Sequence, residues 1–305
     1  MILDPEVLEA ALSRFEAEYI DRDQAARAAA EIRRAAAHGE YADLDGAAAC
    51  EAVTKVFFDV CQDKHLRLIW SAEPEPLEEE DAEAGAAMFA ALCREHNNGV
   101  RKVEVLEGEM GGVGYVDLTL IPTAELGGAT IAAAMRLVAG TAALIIDLRS
   151  TIGGSTDGVQ LWCSYLIRGA DTLLTTSHST VKGTRQYWSL GHLDAPRYLD
   201  RPVYVLTGAR TFSGGEDLAY TLQGLRRAFL IGGTTRGGAH PTDWYQLTGH
   251  VTVTVPNCRS ESPFTGTDWE GLGVVPEIAV AEDQALAVAI EQAKLSIGTG
   301  ADRLQ

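Results

Sequence analysis

Leu8, Leu12, Phe15 and Tyr19 fall on one face of a helix, spaced four, three and four residues apart. Asp4 stands before Pro5, an N-cap followed by a proline at the first helical position. An Ala/Arg-rich segment from Gln24 to His38 predicts a second helix, closed by Gly39. Val53, Val56, Phe57 and Val60 give a third apolar stripe. The connections are short, so residues 1–62 are expected to form a small helical bundle.

Beyond residue 62 the period changes. Leu66–Trp70 reads as a short strand, broken by Pro74 and Pro76. The acidic run Glu78–Glu83 reads as the solvated start of a helix that continues through Leu92, since carboxylates suit the positive end of the helix dipole. Strands are expected at Lys102–Leu106 and Val113–Leu120, around Gly111–Gly112. A helix follows over Ala124–Ala139. Ala142–Leu148 is apolar at almost every position, the pattern of a strand buried on both faces. Further helices are expected at Asp157–Ile167 and Gly214–Leu225, and further strands at Val203–Leu206, Phe229–Ile231 and Val251–Val255. Leu286, Ile290, Ala293 and Ile297 mark a terminal amphipathic helix. Strands alternating with helices predict an α/β core with a partly parallel sheet over residues 63–281, and residues 282–305 form a terminal helix and tail.

Charge narrows the function classes. The 305 residues carry 43 acidic and 25 basic side chains, a net charge of −18. Such a chain repels phosphate backbones and anionic lipid surfaces, so neither nucleic acid nor membrane is an expected partner. No run of about 18 apolar residues occurs, so no membrane span is expected. The N-terminus lacks the basic and apolar regions of a secretory signal. The five cysteines include no CxxC pair, which argues against a disulfide framework or a thiolate zinc site. The expected location is the reducing cytoplasm, with no metal and no cofactor.

Five segments could carry chemistry. In Val205–Glu216 a buried strand ends, the chain turns, and Ser213 stands where a helix begins, with the Gly214 N–H beside it. This is the layout of a strand–nucleophile–helix elbow, although Thr211 departs from the GxSxG form; an ordinary helix-capping serine has the same layout. Asp147–Ser155 holds the Gly153–Gly154 pair after a strand. The pair suits either free backbone donors or a tight turn with positive φ, and lacks a Walker lysine and GxGxxG spacing. Asp63-Lys64-His65-Leu66 offers a histidine just before a strand. Trp269–Pro276 offers Glu270 among glycines, and Gly232–Pro241 offers His240 in a glycine-rich loop. Each of these three can equally be structural.

Thr207–Glu216, Gly232–Pro241 and Gly266–Pro276 together resemble the C-terminal-processing (tail-specific) peptidase family, S41. The branch they are most similar to includes the modules of interphotoreceptor retinoid-binding protein. Ile145–Arg149, Asp63–Leu66, Val103–Leu106 and Gly114–Leu118 match in order, so the resemblance spans about residues 1–281. It implies a ClpP/crotonase-like ββα-superhelix core behind an N-terminal helical bundle. It also implies that Ser213 is the nucleophile and that Gly214 with Gly153 or Gly154 forms the oxyanion hole, with Glu216 an acidic neighbour. The lysine base of the processing peptidases falls at Gly238 and is absent. The tricorn-type branch instead takes a histidine from an early segment and a glutamate from a late one, and His65 and Glu270 match those positions, with His240 as a supporting residue. Only about 50 residues separate His65 from the Tyr115 strand, too few for the family's PDZ module. The expected activity is therefore a Ser–His–Glu hydrolase or acyl-transfer enzyme acting on a peptide, amide or ester. Two alternatives stay open: a non-proteolytic module that binds a small hydrophobic molecule, and a biosynthetic enzyme, such as a cyclase, that reuses the peptidase pocket.

Overall fold

A computed structural model describes residues 2–75, 81–106 and 112–298. In chain order its elements are α1 (Pro5–Glu18), α2 (Arg22–Ala37), α3 (Gly46–Cys61), β1 (Arg67–Trp70), α4 (Asp81–Glu95), β2 (Val100–Leu106) and β3 (Val113–Leu118). Then come α5 (Ala124–Val138), β4 (Ala143–Asp147), α6 (Thr156–Leu166), β5 (Leu173–Ser179), β6 (Gly183–Trp188), β7 (Val203–Thr207), α7 (Gly214–Gly224) and β8 (Phe229–Gly232). The last are β9 (Thr242–Gln246), β10 (Val251–Pro256), β11 (Cys258–Glu261), β12 (Ile278–Ala279) and α8 (Ala285–Gly298). The expected acidic helix start at Glu78–Glu83 lies, as far as Glu80, outside the described residues, as does Gly111 of the expected Gly111–Gly112 turn.

The chain divides into two units. The first comprises Met1–Phe89, Ser177–Thr184 and His240–Ser260. Its three N-terminal helices start on the side chains of Asp4, Asp21 and Asp45, each of which accepts a hydrogen bond from a backbone N–H of the first turn. Their apolar stripes meet in a core holding Leu12, Phe15, Ile32, Val53 and Phe57, all fully buried. Burial of each such side chain contributes roughly 1.5–3 kcal/mol. The same core takes in Leu66, Leu68, Val251, Val253 and Val255 from a three-stranded antiparallel sheet of order β1-β10-β9. The helical segment is thus completed by a hairpin almost two hundred residues further along the chain.

The second unit comprises Ala90–Thr176, Arg185–Ala239 and Glu261–Gln305. Its six-stranded sheet has the order β12-β8-β7-β4-β3-β2, parallel throughout except for the antiparallel β2–β3 pair. Alternate residues feed two cores. Leu144, Ile146, Val203, Val205 and Leu230 join residues of α5, α6 and α7. Ala143, Ile145, Tyr204, Leu206 and Ile231 join Ala285, Ala289 and Ala293 of α8. Cover on both faces explains why β4 and β7 read as unbroken apolar runs. Beyond the end of β4, the guanidinium of Arg149 clasps the Asp147 carboxylate, which also accepts the Tyr115 hydroxyl at 2.8 Å. This clasp fixes the start of the Ser150–Ser155 turn.

Candidate active site

In the second unit β7 delivers the chain to Gly208, and four residues of turn lead to Ser213 at the head of α7. The Thr211 hydroxyl is buried and donates to Leu148 O at 2.8 Å while accepting from Gly208 N–H at 3.1 Å. The position where the GxSxG form would have glycine is therefore a threonine that ties this turn to the end of β4. Ser213 has φ 51° and ψ −119°, a strained conformation for a residue with a Cβ. A helix-capping serine normally keeps extended backbone angles, and here the strained serine at a sharp strand-to-helix turn matches a nucleophile elbow.

Glu216 holds that strain in place. It occupies the third position of α7, is fully buried, and reaches back to accept the Ser213 N–H at 2.8 Å, one arm of a capping box. The same carboxylate accepts the Thr235 hydroxyl at 2.5 Å and the amides of Gly237 at 2.6 Å and Gly238 at 3.0 Å. Burial pushes the Glu216 carboxyl above its ordinary range, against the opposing effect of these four donors. With both oxygens occupied, Glu216 staples the serine turn to the glycine loop. Gly238, the position where the resemblance to the processing peptidases would place a lysine, serves as a backbone donor to this staple. The signal in the sequence was the acidic residue three after the serine; its partners Thr235, Gly237 and Gly238 carried no signal of their own.

The Gly153–Gly154 turn packs against Ser213–Gly214. Both glycines have φ near +135°, at 133° and 135°. A Cβ on Gly153 would lie 3.0 Å from Ser213 Cβ, one on Gly214 would lie 2.9 Å from Gly154 N, and one on Gly154 would overlap Ile121 O. Only glycine allows this approach. Ile121 N–H donates to Gly153 O and Ser155 N–H to Ile121 O, both at 2.8 Å, which fixes the turn. Among the described residues no acceptor takes the N–H of Gly153, Gly154 or Gly214. Backbone donors gathered beside a strained serine hydroxyl can stabilise negative charge on a carbonyl oxygen.

Glu270 belongs to the same unit. Its Oε2 accepts the Ala239 N–H, and Trp269 Nε1–H donates to Gly238 O at 2.9 Å. Three consecutive amides, 237 to 239, are thus divided between Glu216 and Glu270, and Glu270 is fixed to the loop that staples Ser213.

The two histidines lie in the first unit, gathered on Asp63. α3 ends on Gln62 in a left-handed conformation (φ 55°), and Asp63 follows with 1% exposure. Its Oδ1 accepts the His65 N–H at 2.9 Å and its Oδ2 meets His240 Nδ1 at 2.7 Å. His65 is held at its other end by Thr254, whose hydroxyl donates to His65 O at 2.6 Å. Burial acts to raise the Asp63 carboxyl, but the hydrogen bond from His240 and the nearness of both imidazoles outweigh it, and the net direction is down. Asp63 is therefore ionised at neutral pH. In the sequence it was visible only as a neighbour of His65.

Comparison with known families decides the affiliation. The sequence model of Peptidase family S41 matches residues 112–280, more than half of the chain. The chain belongs to peptidase family S41. Its fold is that of several solved structures. A photosystem II D1 C-terminal processing protease is 15% identical, with 92% of this chain and 94% of the other covered at a TM-score of 0.57. A putative peptidase from Parabacteroides merdae is 18% identical over 95% and 97%, with a TM-score of 0.63. A lipoprotein from Streptococcus agalactiae is 13% identical over 97% and 98%, with a TM-score of 0.62. The S41 chain described here is thus an α/β enzyme of serine-peptidase type, for which a peptide is the substrate class implied by the family. Among the described residues no helix is long and apolar enough to cross a membrane.

Proposed function

We propose that this S41 member is a serine hydrolase of peptides, amides or esters in which Ser213 is the nucleophile. The observation that carries the reading is the Ser213 elbow: a strained serine stapled by Glu216 and faced by the glycine turn at Gly153–Gly154. In the reaction, an Oγ lone pair forms the bond to the carbonyl carbon while the serine proton passes to a histidine. The carbonyl π electrons move onto oxygen, where the N–H groups of Gly214 and the Gly153–Gly154 turn receive the charge. The leaving group departs with the proton, and water repeats the sequence on the acyl-enzyme. His65 is the proton acceptor and Glu270 orients and stabilises the imidazolium. Supporting this assignment are the match of both residues to the tricorn-type branch and the fixed orientation of Glu270 on the loop beside the elbow. The five free cysteines, four of them buried, support a reducing compartment, the cytoplasm.

The test is turnover of a peptide and ester panel by Ser213→Ala, His65→Ala and Glu270→Gln. Ser213→Ala and His65→Ala should each lose several orders of magnitude in kcat, and Glu270→Gln less, because it acts through the imidazole. Near wild-type turnover by Ser213→Ala would overturn covalent catalysis.

A further inference from the structure

Asp63, buried at the end of α3, is held by three donors of the first unit. Four groups face it. From α1 the Tyr19 hydroxyl donates to Oδ2 at 3.3 Å. The Cys61 thiol stands at the end of α3, and burial pushes it up to about 12, so it stays protonated and neutral. His240, from the segment before β9, meets Oδ2 through Nδ1 at 2.7 Å. His65, just before β1, gives its backbone N–H to Oδ1 and places its own ring Nδ1 4.0 Å from that oxygen. The carboxylate is thus a buried negative charge within 4.0 Å of one imidazole and bonded to another.

We propose that Asp63 is a positioning residue for His65, fixing its backbone through Oδ1 and stabilising positive charge on its ring, while His240 donates Nδ1–H to Oδ2 and keeps Asp63 ionised and oriented. The proposal rests on the reading of His65 as the proton acceptor for Ser213. An opposite charge within about 4–6 Å favours the charged form of a titrating group, and the low polarity of a buried site screens that effect little. When His65 takes the serine proton, the imidazolium forms beside a carboxylate that is already in place, so no charge has to reorganise. Asp63 itself neither gains nor loses a proton in the step. His240 contributes as a donor, and the arrangement demands that neutral His240 carry its proton on Nδ1.

The experiment uses the full chain and a fluorophosphonate, with the labelling rate followed against pH. In the wild type the rate should rise with pH through the titration of the base. Asp63→Asn should move the midpoint of that rise down by one unit or more, and Asp63→Glu should recover part of the shift. A midpoint unchanged in Asp63→Asn, even with slower labelling, would reduce Asp63 to a structural role and overturn the proposal. Nitrogen-15 NMR of the wild type gives a second readout that needs no variant of Asp63: neutral His240, identified by the signals lost in His240→Gln, should be protonated at Nδ1. The opposite tautomer would overturn the proposal equally. Failure of the parent reading shows differently: Ser213→Ala would still label at the wild-type rate whatever the behaviour of Asp63.

Discussion

Replacing Glu216 by glutamine separates a staple from a base. Each carboxylate oxygen of Glu216 serves two donors, Thr235 and Gly237 on Oε1, Gly238 and Ser213 on Oε2. A glutamine keeps one oxygen and can satisfy one of these pairs; its amide NH2 then points at the other. Hydrogen bonds to a charged group contribute about 1.5–3 kcal/mol each, so losing two costs about 3–6 kcal/mol. Part of this is offset, because burial already disfavours the ionised carboxylate. The net expectation is a loss of about 2–4 kcal/mol, equivalent to a fall in Tm of about 3–6 °C for a chain of this size. The Ser213 backbone, released from its anchor, should relax from φ 51°. Fluorophosphonate labelling should therefore slow by at least about tenfold, because strain at such a site persists only while its surroundings enforce it. The assay pairs urea or thermal unfolding with the labelling rate on the same preparation. An unchanged Tm together with abolished labelling would refute the reasoning, since that is the signature of a group acting in the chemistry and not of a staple.

Two further outcomes follow from the same region. Gly153→Ala should cut labelling about 100-fold, the usual cost of losing one oxyanion donor, because its Cβ would press on Ser213 Cβ at 3.0 Å; labelling rates within a factor of two of wild type would contradict this. Asp217 lies buried in the first turn of α7, and burial raises its carboxyl from 3.8 to about 7, with the Thr221 hydroxyl opposing. Below pH 3.8 both folded and unfolded states are protonated. Between 3.8 and about 7 the unfolded chain ionises first, so stability falls as pH rises, and above about 7 the full penalty applies. Asp217→Asn escapes that penalty, so its stability relative to wild type should climb between pH 4 and pH 8 by up to about 4 kcal/mol in urea unfolding. A pH-independent difference would contradict the assignment.

The first unit shows what local pattern can and cannot reveal. The stripes Leu8–Leu12–Phe15 and Val53–Phe57 announce their helices because a helix face is encoded within a dozen residues. The strands that complete the same core, β9 and β10, sit at 242–256, and nothing in the N-terminal pattern points to them. β9 itself passed unread. Its Thr-Asp-Trp-Tyr-Gln run buries only Tyr245, and the apolar alternation that marks a strand is missing. β5 and β6, also unread, are rich in threonine, serine and basic residues, and β6 is largely exposed. In the second unit β4 and β7 were legible because both faces of their sheet are covered. Within the site, Ser213 and the paired glycines were visible as residue types demanded by a turn. Three of the four donors to Glu216 come from 19 to 22 positions away, and His240 joins Asp63 across 177 positions. Such constellations are made by the fold.

The most direct test of the central claim is the intact mass of the full chain after reaction with a fluorophosphonate, followed by peptide mapping. The wild type should gain one phosphonyl adduct, located on Ser213, and Ser213→Ala should gain none. An adduct on any other residue, or a labelled Ser213→Ala protein, would contradict the assignment of Ser213 as the nucleophile.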